Sequence, residues 1–66
     1  MRVRIDRQAD ALYIRLNECV IAESEEVQPG VILDFNDEGL VVGIEMLSIS
    51  KRMSQEEMQT LHFASA

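Results

Sequence analysis

The sequence predicts a small α+β domain, an antiparallel β-meander of four to five strands followed by a C-terminal helix. Three observations carry this. Apolar and polar residues alternate with a period of two through most of residues 1–47. The pattern is punctuated at Gln28-Pro29-Gly30 and Asn36-Asp37-Glu38-Gly39, and after Leu47 the apolar spacing lengthens to three and four. Sixty-six residues and 7.5 kDa leave room for one domain, with residues 1–47 as sheet and 48–66 as the helical segment. Hydrophobic residues at 47% against 27% charged exclude a disordered chain.

Val3 and Ile5 alternate with Arg2, Arg4 and Asp6, a first strand with one wet face. Asp6 to Asp10 is polar and turns, and Leu12, Ile14 and Leu16 then alternate with Tyr13 and Arg15 as a second strand. Val20 to Val27 is a Glu-rich extended segment without a readable register, suited to a sheet edge that charge protects from pairing. Pro29 fixes its own φ and pushes Gln28 toward extended geometry, while Gly30 accepts positive φ, so a turn falls there. Val31, Leu33 and Phe35 and the run Leu40 to Leu47 then form a hairpin with Gly39 at its left-handed position. Gly43, inside the last strand, marks a bulge or a close contact from above. Ser48 or Ser50 suits the cap of a short helical turn. Ser54-Gln55-Glu56-Glu57 matches a capping box, from which Met58, Leu61 and His62 share one helix face with Met53 ahead of them.

Chemistry-bearing residues are few. Asp6 with Asp10, and Glu25 with Glu26 near Asp34, are the carboxylate clusters that could hold a divalent cation or act as acid and base. Turn formation accounts for the first pair and a solvated edge for the second. His62 has no Cys, Asp or Ser at a local spacing that makes a dyad, and Cys19 sits beside Glu18, which opposes a thiolate. Arg2, Arg4 and Arg15 share the wet face of the first hairpin, where cross-strand pairing with acids is the plainer role and phosphate binding the sharper one. A net charge of −6 and only three aromatics, Tyr13, Phe35 and Phe63, exclude a dedicated nucleic-acid module, so nucleic acid enters only through a larger complex. No catalytic residue, cofactor or metal ligand is therefore nominated.

Partners are implicated instead. A core this small, with one cysteine and hence no internal disulfide, is marginal alone and gains most by sharing itself in a homodimer. The expected interface is the C-terminal face of Met53, Met58, Leu61 and His62. Charge is segregated too. Residues 17–45 carry Glu18, Glu23, Glu25, Glu26, Asp34, Asp37, Glu38 and Glu45 with no basic residue, which suits a basic protein partner. The free thiol fits a reducing cytoplasm, the N-terminus shows no signal-peptide pattern, and no run of residues is apolar enough to span a membrane.

Arg4-Ile5-Asp6, Asp10-Ala11-Leu12-Tyr13-Ile14, Pro29-Gly30-Val31-Ile32-Leu33-Asp34 and Val42-Gly43-Ile44-Glu45 resemble, in order and spacing, the blocks of the small bacterial proteins grouped as domain of unknown function 2283. The resemblance runs from Met1 to about Met53. It implies a small antiparallel sheet followed by a helical segment, and no catalytic residues. It also implies an antitoxin role, since some members are thought to be encoded beside toxin-like proteins. The expected function is a non-enzymatic protein-interaction module, antitoxin-like toward a basic toxin. The alternative is a small metal-dependent enzyme whose site is assembled across subunits from Asp6, Asp10, Glu25 or Asp34.

Overall fold

The structure, a computed structural model, describes the backbone of residues 1–65 and the side chains of residues 1–60. Five antiparallel strands form one sheet: β1 (Arg2–Asp6), β2 (Ala11–Arg15), β3 (Glu23–Gln28), β4 (Val31–Phe35) and β5 (Val41–Leu47). A 3₁₀ turn at Ile49–Lys51 and a helix, α1 (Gln55–Ser65), follow. The expected α+β class is what forms.

The order across the sheet is β1-β2-β5-β4-β3, so one connection departs from a sequential meander. The chain leaves β2 where the Leu16 N–H donates to the Val42 carbonyl (2.7 Å) and re-enters the sheet where the Ala22 N–H donates to the Phe35 carbonyl (2.8 Å). Residues 17–22 thus pass the end of β5 and β4 and deliver β3 to the far edge. That placement suits its sequence: all six residues of β3 are exposed, three of them Glu, and a register shift near Val27 further roughens the edge. The expected extended segment begins at Glu23 rather than Val20, because residues 20–22 belong to this crossing.

Both turns behave as their residues require. Gly30 and Gly39 have φ of 82° and 81°, and Asn36 Oδ1 accepts the N–H groups of Glu38 and Leu40, closing the β4–β5 hairpin. Ser54 Oγ accepts the Glu57 N–H at 3.1 Å and starts α1, the Ser54 half of the predicted capping box.

The 3₁₀ turn is held from outside itself. Ser48, at its N-cap position, is left-handed at φ 54° and makes no side-chain cap. Asp10 caps the turn across 40 residues: its backbone carbonyl accepts the Ile49 N–H, and its carboxylate accepts the Ser50 N–H (3.1 Å) and hydroxyl (2.6 Å). Arg52 donates to the Pro29 carbonyl (3.1 Å), tying the same segment to the β3–β4 turn. Asp10 itself sits at φ 53°, a conformation that Asp and Asn tolerate far better than Ala. Asp10→Ala is expected to cost about 1–2 kcal/mol, while Asp10→Asn, which keeps an acceptor oxygen and the backbone tolerance, should cost clearly less. Denaturant melts of the two variants check this, and equal losses would show that the cap is not what holds the turn.

Candidate interaction surface

Register assigns every strand side chain to a face. One face carries two cross-strand rows: Val3, Ile14, Ile44 and Leu33, then Ile5, Leu12, Met46 and Val31. Each row is apolar across four strands, and the first ends at Glu25 on the β3 edge. Ile49 is 1% exposed and Leu12 is buried beneath this end of the fold. Met58 of α1 lines a cleft of about 370 Å³ with Ile5, Ile49, Arg7, Asp10, Gln55 and Gln59. Of the strands, α1 packs chiefly on β1. Val3, Ile14, Ile44, Leu33, Met46 and Val31 all remain only half-buried.

The molecule is correspondingly thin, 17 Å in its shortest dimension. Its surface is 4939 Å², where a compact chain of this mass exposes about 4,200 Å². A single sheet with one short helix on its flank cannot bury the apolar face of a five-stranded sheet, which ordinarily needs a second layer.

The opposite face is polar and holds a cluster that joins four strands. Asp34 on β4, 8% exposed, accepts the Tyr13 hydroxyl of β2 on Oδ2 (2.9 Å) and the Ser24 hydroxyl of β3 on Oδ1 (2.6 Å). It can sit there because Gly43 on β5 lacks a side chain. A Cβ at Gly43 would lie 2.8 Å from Asp34 Oδ2 and 3.0 Å from the Tyr13 hydroxyl oxygen. The sequence marks Gly43 for a bulge or a close contact; the contact is what it makes, with the register shift nearby between Asp34 and Phe35. Both carboxylate oxygens accept from hydroxyl groups, so this buried polar side chain finds its partners within the sheet. Sequence reasoning misses this cluster, because Asp34, Ser24 and Tyr13 lie on three strands that only the strand order brings together. Its traces are an acid set between Leu33 and Phe35 in an apolar strand and a glycine inside β5.

The residues nominated from sequence fare differently. Met53 is half-buried just beyond the 3₁₀ turn, Met58 lines the α1 cleft, and the side chains of Leu61 and His62 lie outside the described residues. Asp6 accepts the Ala9 N–H at 3.0 Å and shapes the first turn, as expected of it. Asp10 does more, capping a distant turn. Glu25 and Asp34 project from opposite faces, and Glu26 accepts the Gly30 N–H (3.2 Å). The four acids of the enzymatic alternative therefore do not converge within one chain. Among the described residues no three His, Cys, Asp or Glu stand close enough to share a metal ion.

Arg2, Arg4 and Arg15 do share the polar face, with Arg2 directly opposite Arg15. Their partners differ from the cross-strand acids expected. Arg2 pairs with Glu18 of the crossing connection (3.1 Å), and Arg15 donates to the carbonyls of Asn17 (2.7 Å) and Cys19, holding that connection in place. Two of the three guanidinium groups are thus spent on the fold. Cys19 is a free, exposed thiol, and among the described residues no helix is long and apolar enough to cross a membrane.

The sequence blocks that carry the family resemblance contain residues that build this structure: the β1–β2 turn with Asp6 and Asp10, Tyr13, the Pro29-Gly30 turn, Asp34, and Gly43. No curated protein and no solved structure matches the chain. A family model does match, over residues 2–50, ending inside the 3₁₀ turn that Asp10 caps. The chain belongs to that family, described as protein of unknown function (DUF2283).

Proposed function

We propose that this protein is a non-enzymatic protein-interaction module of the cytoplasm that buries the apolar face of its sheet against protein and offers its acidic side to a basic partner, as an antitoxin does. The half-buried apolar face carries this reading, because folded chains rarely leave so wide a continuous apolar surface without a docking role.

The basic-partner half rests on charge. Glu23, Glu25 and Glu26 stand exposed along the β3 edge, with Asp37 and Glu38 in the neighbouring hairpin turn, against a net charge of −6. The exposed free thiol of Cys19 supports a reducing compartment.

Co-purification with the product of the adjacent reading frame tests the reading, provided that product is basic. A complex is expected that weakens at least tenfold between low and high salt, since steering between opposite charges is screened over about 8–10 Å at physiological ionic strength. A complex indifferent to salt would remove the charge argument, and no complex would remove the partner.

A further inference from the structure

We infer that the outer edge of β1 is a dimerisation edge, on which a second copy of this chain adds its own β1 antiparallel about a two-fold axis beside Arg4, joining the two five-stranded sheets into one. Pairing there leaves the apolar face open to a partner.

β1 and β3 end the sheet, and only β3 is guarded. It has a register shift after Glu26, and its Glu25 lies on the apolar side, where a strand continuing the sheet needs an apolar neighbour. Paired with its own copy it sets Glu23 against Glu25, or Glu25 against itself. β1 has neither device. Its five residues keep an unbroken register with β2, it contains no proline, and Val3 and Ile5 occupy its apolar side.

Residues directly opposite each other in an antiparallel pair share a face, so only registers that keep Val3 and Ile5 together are open to the second copy. Centred on Arg4, the register pairs all five residues of β1. Val3 opposite Ile5 extends the apolar face, and Arg2 stands opposite Asp6 twice, once on each side of the axis. Both groups have capacity to spare. Arg2 reaches Glu18 through Nε and Asp6 accepts the Ala9 N–H on Oδ1, so the Arg2 Nη nitrogens and Asp6 Oδ2 make no hydrogen bond among the described residues. A shift of two residues one way sets Arg2 against Arg4, like against like; the other way it pairs only Arg4 to Asp6 and runs the strand into its turn. The one like-charged contact of the full register is Arg4 against itself at the axis, where the Asp6 of each copy lies on the diagonal to the Arg4 of the other.

The space is there as well. A groove of about 440 Å³, lined by Met1, Arg2, Val3, Arg4 and Tyr13, lies against the half of β1 that faces the Asp6 of the second copy. α1 meets Ile5, Arg7 and Asp10 at the other end of the strand, and the two-fold sets the two Arg7 positions about 20 Å apart along the paired strands.

Sedimentation equilibrium of the full chain, from micromolar to sub-millimolar concentration, and oxidation of single-cysteine variants in a Cys19→Ser background test this. A dimer is expected. Position 4 lies at the axis, where facing Cα atoms are about 4.5–5.5 Å apart and within reach of a disulfide, whereas position 2 lies about 14 Å from its own copy. Arg4→Cys is therefore expected to form a covalent dimer under mild oxidation, and Arg2→Cys to stay a single chain. Arg2→Gln and Asp6→Asn, the second keeping the acceptor for Ala9, are each expected to weaken dimerisation about three- to tenfold, and both together no further than one alone. Arg4→Gln, which removes the repulsion at the axis, is expected to tighten it.

A wild-type monomer throughout would overturn the dimer while leaving co-purification with a basic partner free to succeed. A dimer in which Arg4→Cys fails to link, or links no faster than Arg2→Cys, would overturn the β1 edge. Additive losses from Arg2→Gln and Asp6→Asn, or an Arg4→Gln dimer no tighter than the wild type, would overturn the register.

Discussion

Gly43→Ala is expected to destabilise this protein by about 2–4 kcal/mol, a large part of the roughly 3–10 kcal/mol that holds a domain of this length. The φ of Gly43 is not the cause, since it is an ordinary strand residue; space is. The added methyl would stand 2.8 Å from Asp34 Oδ2, closer than real Cβ contacts come, and 3.0 Å from the Tyr13 oxygen and 3.2 Å from Asp34 Cβ, tighter than nearly all of them. Asp34 cannot simply swing away. Both its oxygens are engaged by hydroxyls from two other strands, and moving it leaves a buried carboxylate short of donors at about 1–3 kcal/mol, with overpacking of similar size added. Denaturant unfolding at fixed protein concentration measures the loss. The same substitution in an Asp34→Ala background should cost less than about 1 kcal/mol, because the closest atom it strikes is gone and the Tyr13 hydroxyl, no longer bound to Asp34, is free to move aside. An unchanged cost in that background would refute the steric account.

Ile49→Ala is expected to cost about 2–4 kcal/mol, and Ile49→Val about 1 kcal/mol, on the scale of buried aliphatic truncations. Ile49 is the buried residue of the 3₁₀ turn, 1% exposed, and the turn is pinned at its two ends by Asp10 and Arg52. With both ends fixed the segment cannot settle into the space a truncation leaves, which is the condition for a full cavity penalty. Amide exchange should rise first in residues 49–60 and later in β5 and β2, since the turn is the hinge by which α1 is joined to the sheet. A loss within about 0.5 kcal/mol of zero would show that Ile49 is buried but idle.

Much of this architecture is legible along the chain. The period-two runs place β1, β2, β4 and β5 within a residue of their bounds, because alternation records which side chains face the core. Pro29, Gly30 and Gly39 mark the turns through backbone limits that belong to those residues alone. The wet face of the first hairpin is legible for the same reason, arginines alternating with Val3 and Ile5. What they bind is not, since Glu18 and the carbonyls of Asn17 and Cys19 reach Arg2 and Arg15 only once the crossing connection folds back.

The interaction surface divides in the same way. Sequence periodicity nominates Met53, Met58, Leu61 and His62 on the helical segment, and Met58 does face the sheet in a cleft with Ile5. The wider surface is the sheet itself. Val3, Ile14, Ile44 and Leu33 read as ordinary core residues, and nothing in their spacing tells that a single helix leaves them half-covered.

Local preference thus determined the strands, the turns and the cap of α1, since each depends on neighbours within a few residues. Only the tertiary structure decided that β3 lies at the far edge, that Asp34 meets Tyr13 and Ser24 above Gly43, that Asp10 caps a turn 40 residues away, and that one face of the sheet lacks a second layer. Those outcomes follow from strand order and from the limited surface that eleven helical residues can cover, and strand order is a global choice that no window of the sequence contains.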